Sequence, residues 1–183
     1  MGRLIMWNII TLDGYFEGEK NWELPFHDIV WGPEMERFCI EQLSTTSYLV
    51  FGRVTFEGMA AYWKTEQGVI AGFMNQLPKV VCSTTLETAD WNNSILIKEN
   101  VADEIGRLKA SSEKDLYVFG SAILSETLIR ENLFDEYRIC VAPVVAGKGR
   151  PLFAKGLPGR QLSLVSSQPL STGGVILSYK PVR

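Results

Sequence analysis

The sequence predicts an α/β fold built on a central, mixed but mostly parallel sheet, with helices on both faces and an antiparallel edge at the C-terminal end. Two patterns carry that prediction. Runs of β-branched and aromatic residues alternate with stretches of helical periodicity over most of the chain, which is how parallel strands joined by crossover helices read. The alternation then stops. The tail, "QLSLVSSQPLSTGGVILSYK", holds two apolar strands around a Gly173-Gly174 turn with no helix between them. The 183 residues, 46% hydrophobic and 21% charged, suit one globular domain spanning 1–183.

Each element has a local reason. "RLIMWNIITLDGY" opens as an isoleucine-rich strand and ends at the Asp13-Gly14 turn signal. A loop, "FEGEKNWELPFHD", follows. "PEMERFCIEQLS" reads as a helix: Pro33 suits its first turn, Glu34 and Glu36 face the positive end of its dipole, and Met35, Phe38, Cys39 and Leu43 form an apolar stripe. "SYLVFG" is the next strand, "VTFEGMAAYW" the helix after it, and "GVIAGFMNQL" a further helical segment. "KVVCSTT" and "SILIK" are strands, and "VADEIGRLKASS" is an amphipathic helix with Val101, Ile105 and Leu108 on one face. "DLYVFG" is a strand, "SAILSETLIREN" a helix, and "FDEYRICVAPVV" a strand ending near Pro143. "GKGRP" at 147–151 lacks the spacing and the following helix of a phosphate-binding loop, so it reads as a turn.

Composition excludes several functions. Lysine plus arginine is 18 and aspartate plus glutamate 21, a net charge of −3, which argues against nucleic acid as the partner. Cys39, Cys82 and Cys140 are far apart, no Cys-x-x-Cys pair exists, and His27 is the only histidine; the pattern argues against a zinc site and for cysteines used as small core residues. No apolar run reaches the roughly 18 residues of a membrane span, and the N-terminus enters a strand without a cleavable leader pattern. The expected location is the cytoplasm.

Three strand-to-helix joints share a design: "VFGRVT" at 50–55, "VVCSTT" at 80–85 and "VFGSAI" at 118–123. In open α/β sheets, ligands bind beyond the carboxyl ends of the strands. A glycine there lets backbone approach a ligand, and the N–H groups opening the next helix attract anions. At the first joint Gly52 permits the approach, Arg53 adds a fixed charge and Thr55 a hydroxyl, a plausible diphosphate cradle; a glycine turn with a solvated arginine is the plainer account. Gly120 and Ser121 form the second glycine joint, or a simple helix start with Ser121 as N-cap. Together the joints suit an extended, phosphate-bearing ligand such as a dinucleotide.

"TLDGYFEG", "FGRVTFEGM", "LPKVVCSTTL", "KDLYVFGSAIL", "LFDEYRICVAPVVAGKGRPLF" and "GVILSYKP" occur in one order and spacing over nearly the whole chain. In them the chain resembles the dihydrofolate reductase-like family, on the branch of the C-terminal reductase domain of the bifunctional riboflavin-biosynthesis enzyme and its stand-alone relatives. The resemblance implies a three-layer sandwich and NADPH as cofactor, with NADH the alternative. It implies that Gly52, Arg53 and Thr55, with Gly120, Ser121 and Ala122, hold the diphosphate. Ser83 and Thr84 then lie by the adenosine ribose and its 2′-phosphate. Relatives often carry an arginine where this chain has Thr84, so a weakened preference for NADPH is expected unless Lys79 or Lys98 compensates. Ile9, Ile10 and Phe16 line the nicotinamide under a lid formed by "TLDGYFEG". Asn8 borders it, beside a substrate pocket of Trp7, Met59, Tyr62, Trp63 and Phe119, although plain core packing accounts for these residues too.

"NWELPFHD" resembles the stretch of true dihydrofolate reductases whose aspartate binds the pterin. Asp28 is the candidate catalytic acid, although it comes one residue later than a clean match requires. The resemblance implies an NAD(P)H-dependent reductase that passes a hydride to a small, heterocyclic substrate. It also implies a homodimer using the late strands. The alternative is a non-catalytic module that binds a nucleotide or pterin on the same fold.

Overall fold

The computed structural model describes residues 1–182. An eight-stranded sheet forms its centre, in the order β5-β4-β3-β6-β1-β7-β10-β9. The strands are β1 (Leu4–Thr11), β3 (Thr46–Gly52), β4 (Lys79–Cys82), β5 (Ser94–Ile97), β6 (Asp115–Phe119), β7 (Glu136–Ala142), β9 (Leu162–Pro169) and β10 (Val175–Pro181). Every pairing from β5 to β7 is parallel, and the β7–β10 and β10–β9 pairings are antiparallel. This is the architecture expected of the sequence, antiparallel edge included.

The helices are α1 (His27–Val30), α2 (Pro33–Ser44), α3 (Arg53–Trp63), α4 (Val69–Gln76), α5 (Val101–Ser111) and α6 (Ala122–Arg130). Side-chain alternation along β1 sorts them into two layers. Leu4 and Met6 face Ile105 of α5 and Leu124, Leu128 and Ile129 of α6. Ile5, Trp7 and Ile9 face Val30 of α1 and Met35 of α2. On that second face, Leu49, Phe51 and Val81 meet Phe56 and Ala60 of α3 and Met74 of α4. The sheet is thus the middle of three layers, and its central strands are apolar on both sides, as a covered parallel sheet requires.

Three short elements escape sequence reading. A two-stranded ribbon pairs β2 (Tyr15–Glu17) with β8 (Arg150–Pro151), and α1 is a single turn inside the stretch expected to be loop. "GKGRP" is therefore a turn only at its start: its last two residues are β8. Asp13 ties this region down. Its carboxylate accepts bonds from the Ala146 and Gly147 amides and from the Thr11 hydroxyl, and these donors hold its pKa down at about 2. Such pairings join segments more than a hundred residues apart and leave no local signature.

The charged network at the opposite, amino-terminal end of the parallel strands is structural. Glu136 is buried between Arg3 (2.7 Å) and Arg138 (2.6 Å), and Arg138 also donates to Tyr117 Oη and Gln42 Oε1. Lys79 is buried as well. Its Nζ donates to the Asn75 and Asn92 carbonyls over the Trp91 ring, and burial lowers its pKa to about 8. No helix is long and apolar enough to cross a membrane among the described residues.

Candidate active site

The carboxyl ends of β1, β3, β4 and β6 open into a cleft of about 570 Å³, within the roughly 300–1,000 Å³ range of small-molecule sites. At its middle, the β3–α3 and β6–α6 joints lock onto each other. The Gly52 amide donates to Ser121 Oγ (2.7 Å), while the Ser121 amide (3.1 Å) and hydroxyl (2.8 Å) both donate to Thr55 Oγ1. Thr55 accepts twice, so its own hydroxyl proton is left for another acceptor.

This clasp explains both glycines. Gly52 has an ordinary φ of −79°, so its conformation does not demand glycine; closeness does. A Cβ there would stand 3.2 Å from Ser121 Oγ. Gly120 is left-handed, with φ +56°, and its Cβ would press on Thr55 at 3.3 Å. Ser121 is left-handed too (φ 56°), a conformation that costs a side-chain-bearing residue roughly 1–2 kcal/mol. Its hydroxyl bonds offset that cost. They also mean that Ser121 does not cap α6 as a simple helix start would: neither α3 nor α6 has a side-chain cap. The first-turn N–H groups of both helices, adjoining the cleft at Gly52–Thr55 and Gly120–Leu124, are left open to an anion.

Charges grade along the cleft. Arg53 lines it and pairs with Glu57 at 3.1 Å. An exposed pair spaced four residues apart on a helix is worth only about 0.3–0.5 kcal/mol, so the guanidinium is easily drawn to a phosphate. Beyond it lie Cys82, Ser83, Thr84 and Lys98. Lys98 is exposed and carries no ion pair among the described residues, whereas Lys79 is sealed in the core and cannot serve the cleft. The residues lining this half therefore fit a dinucleotide phosphate chain.

The other half is aromatic. Trp7 and Phe119 are register partners on β1 and β6, and Met59 and Trp63 join them from α3. Trp22, in a left-handed conformation, donates its indole N–H to the Val54 carbonyl (3.2 Å) and packs over Gly58, where a Cβ would stand 1.7 Å from the ring. Ordinarily alanine is better than glycine in a helix by about 1 kcal/mol; here the Trp22 contact makes glycine necessary. Cys39 and Cys82 line the cleft rather than the deep core, and burial pushes both thiols up to about 12, so neither is an activated nucleophile.

Most of the expected site residues come together here: Trp7, Asn8, Ile9, Phe16, Gly52, Arg53, Thr55, Met59, Trp63, Ser83, Thr84, Phe119, Gly120, Ser121 and Ala122 all line the cleft. Three do not. Asp28 is exposed, and His27 lines the cleft in its place, because consecutive residues on a helical turn point about 100° apart. Tyr62 is 53% exposed; the cleft face of α3 carries Thr55, Met59 and Trp63, spaced by fours, and Tyr62 lies off that stripe. Ile10 packs into the core cluster under α5 and α6. The sequence reading also missed Glu17, Trp22, Leu24, His27, Trp31, Gln42 and Arg150 as lining residues. The one-residue offset at Asp28 was a usable signal for His27.

Burial drives the His27 pKa down to about 4, against the smaller upward pull of neighbouring Asp28. Its imidazole is neutral at neutral pH. Glu17 and Arg150, the charged pair on this side, neutralise each other at 3.2 Å. Asn8, 5% exposed on β1, carries an Nδ2 with no hydrogen-bond partner among the described residues. An unsatisfied buried donor costs roughly 1–3 kcal/mol.

This sheet order is that of the dihydrofolate reductase-like fold. Residues 3–176 match the model of the RibD C-terminal domain, and the chain belongs to that family. It is 30% identical to the uncharacterised protein YyaP of Bacillus subtilis (strain 168) over 182 residues, covering 97% of this chain and 94% of YyaP. It superposes on a candidate riboflavin biosynthesis protein from Shewanella sp. PV-4 with a TM-score of 0.82 at 22% identity, over 99% of each chain. Dihydrofolate reductase from Enterococcus faecalis, complexed with NADP(H), matches at a TM-score of 0.68 and 17% identity, over 100% of this chain and 98% of that one.

Two outcomes follow from the geometry. Ser121→Ala strands the Gly52 amide and is expected to cost about 1–3 kcal/mol of unfolding free energy. Ser121→Gly relieves the left-handed strain and loses less; urea denaturation of both variants checks the order. His27 is held below its unfolded value of 6.5, so the unfolded chain binds more protons between pH 4 and 6.5. Its contribution is full above pH 6.5 and is lost as pH falls through 4, by at most about 3 kcal/mol. His27→Gln is expected to flatten the stability slope across that window, and an unchanged slope in urea midpoints would contradict the assignment.

Proposed function

We propose that this protein is an NAD(P)H-dependent reductase acting on a small, planar, uncharged substrate. The observation that carries the reading is the clasp of Gly52, Thr55 and Ser121, which sets two uncapped helix N-termini side by side at the middle of the cleft, between its charged and aromatic halves. Two adjacent N-termini suit the two phosphates of a dinucleotide. The family supports the same reading, as does the NADP(H) complex of the Enterococcus faecalis enzyme on this fold.

In this reading Arg53 leaves Glu57 for the diphosphate, and the free Thr55 hydroxyl proton donates to it. Lys98, beside Ser83 and Thr84, supplies the positive charge that a 2′-phosphate requires and that Thr84 lacks. The dinucleotide, when bound, supplies the hydride. Trp7, Phe119 and Trp63 hold a flat substrate against it and exclude water. His27 orients the substrate as a neutral hydrogen-bonding ring. With Glu17 and Arg150 spent on each other, that end of the cleft offers little to an anionic substrate, so dihydrofolate, with its glutamate tail, is expected to be poor.

The edge strand β9, with Leu164 and Val165 half-exposed, supports a homodimer formed by a second copy along that edge. A monomeric mass by light scattering at micromolar concentration would count against it.

Tryptophan fluorescence titrated with NADPH and NADH tests the cofactor assignment. Lys98→Ala is expected to weaken NADPH by about tenfold, roughly 1.4 kcal/mol, and NADH little. Equal losses would remove Lys98 from 2′-phosphate recognition. NADPH oxidation against a panel of uncharged heterocycles, with dihydrofolate and phosphorylated analogues as contrasts, separates a reductase from a binding module; binding without turnover across the panel would favour the module.

A further inference from the structure

We infer that Gln42 is the polar recognition point on the floor of the aromatic half, donating its side-chain N–H to a neutral acceptor, such as a ring carbonyl, on the flat substrate. The inference rests on the reading of that half as the substrate pocket and names a polar feature the substrate carries. Gln42 is 3% exposed and lines the cleft together with Cys39 and Leu43 of the same helix, α2. Its Oε1 accepts from Arg138 Nη1 at 3.1 Å. Its Nε2 has no hydrogen-bond partner among the described residues, yet it is not sealed: the sealed atoms without a partner are Asn8 Nδ2 and Ser94 Oγ. A half-used amide on so buried a residue, with its nitrogen still open, is a donor left for whatever fills the cavity.

Arg138 decides which end of the amide is presented. A guanidinium has donors only, so Gln42 can meet it only with its oxygen; turned over, the amide would set N–H against N–H beside a positive charge. Arg138 lines the small pocket at the amino-terminal end of the sheet and not the cleft. The Gln42 oxygen is drawn to that side, and because the two ends of a planar amide point apart, the nitrogen is turned toward the cleft. Arg138 is itself fixed. Its Nε donates to buried Glu136 at 2.6 Å, its Nη1 also donates to Tyr117 Oη at 2.9 Å, and its guanidinium lies 5.5 Å from the Tyr117 ring centre. Arg138 pairs in register with Trp7, and Trp7 with Phe119, so the amide stands at the foot of the aromatic wall. The buried charges thus reach the cleft as a fixed polarity and not as a charge. A neutral donor there suits a neutral acceptor, whereas a carboxylate or phosphate would lose its water for one neutral bond. A substrate with an amino group at this point would meet N–H with N–H.

Two probes of one outline test this on the intact protein by calorimetric titration: quinazolin-4-one, which carries a ring carbonyl, and 4-aminoquinazoline, in which an amino group replaces it. The native protein is expected to bind quinazolin-4-one about tenfold more tightly. Gln42→Leu removes the donor at similar volume and is expected to abolish that preference. Because Gln42→Leu also strands Arg138, Gln42→Glu is the second variant: it keeps the shape and the bond to Arg138 but offers the cleft an acceptor only. It is expected to reverse the preference in favour of 4-aminoquinazoline, an outcome that loss of packing or stability does not produce. A native protein that binds the two probes equally, or a Gln42→Glu variant that keeps the native preference, overturns the assignment and leaves the aromatic pocket standing. A native protein that binds neither probe sinks the reading of the aromatic half as a substrate pocket, and the role of Gln42 with it.

Discussion

The site depends on one short chain of hydrogen bonds: Gly52 amide to Ser121 hydroxyl to Thr55 hydroxyl, with the Ser121 amide joining at the same oxygen. Its consequences run in both directions. It holds Ser121 in a left-handed conformation and crowds any side chain placed at Gly52 or Gly120. By occupying the Ser121 hydroxyl, it also denies α6 the cap that a serine at that position usually supplies, and so keeps the helix end open. Local stability has been given up at two uncapped helix ends, and the bonds across the joint compensate part of the loss.

Around that clasp the protein separates charge from aromatic surface. Permanent charge that is free to act lies at the Arg53 and Lys98 end. At the other end, charges are paired, as in Glu17 and Arg150, or suppressed, as in His27, whose burial keeps it neutral. The long loop after β1 completes the aromatic end. Trp22 reaches Val54 and Gly58 on α3, and the β2–β8 ribbon brings Arg150 to the rim. A single cleft thereby presents two chemically distinct halves.

The same fold hosts many site chemistries, so function has to be argued from the residues. Here the fold and family are shown by the match over residues 3–176 and by the superposed structures. The position occupied by His27 shows why the distinction matters. An acidic residue was expected to do chemistry from this loop, yet the side chain that reaches the cleft is an imidazole with a depressed pKa.

The sequence by itself determined the sheet, its layers and the joints. Strand alternation and helical periodicity are local patterns, and Gly52-Arg53, Cys82-Ser83-Thr84 and Gly120-Ser121 each sit at a boundary between two such patterns. Tertiary structure decided what depends on partners distant in the chain. Ser121 meets Thr55 across 66 residues, and Asp13 meets Gly147 across 134. It decided that His27 and not Asp28 faces the cleft, since the two differ only by the rotation of one short helical turn. It sealed Lys79 in the core and left Lys98 at the cleft, two lysines whose neighbours in sequence do not tell them apart. It left the Asn8 amide without a partner, too, because satisfaction of a buried donor is a property of everything packed around it and of no stretch of sequence alone.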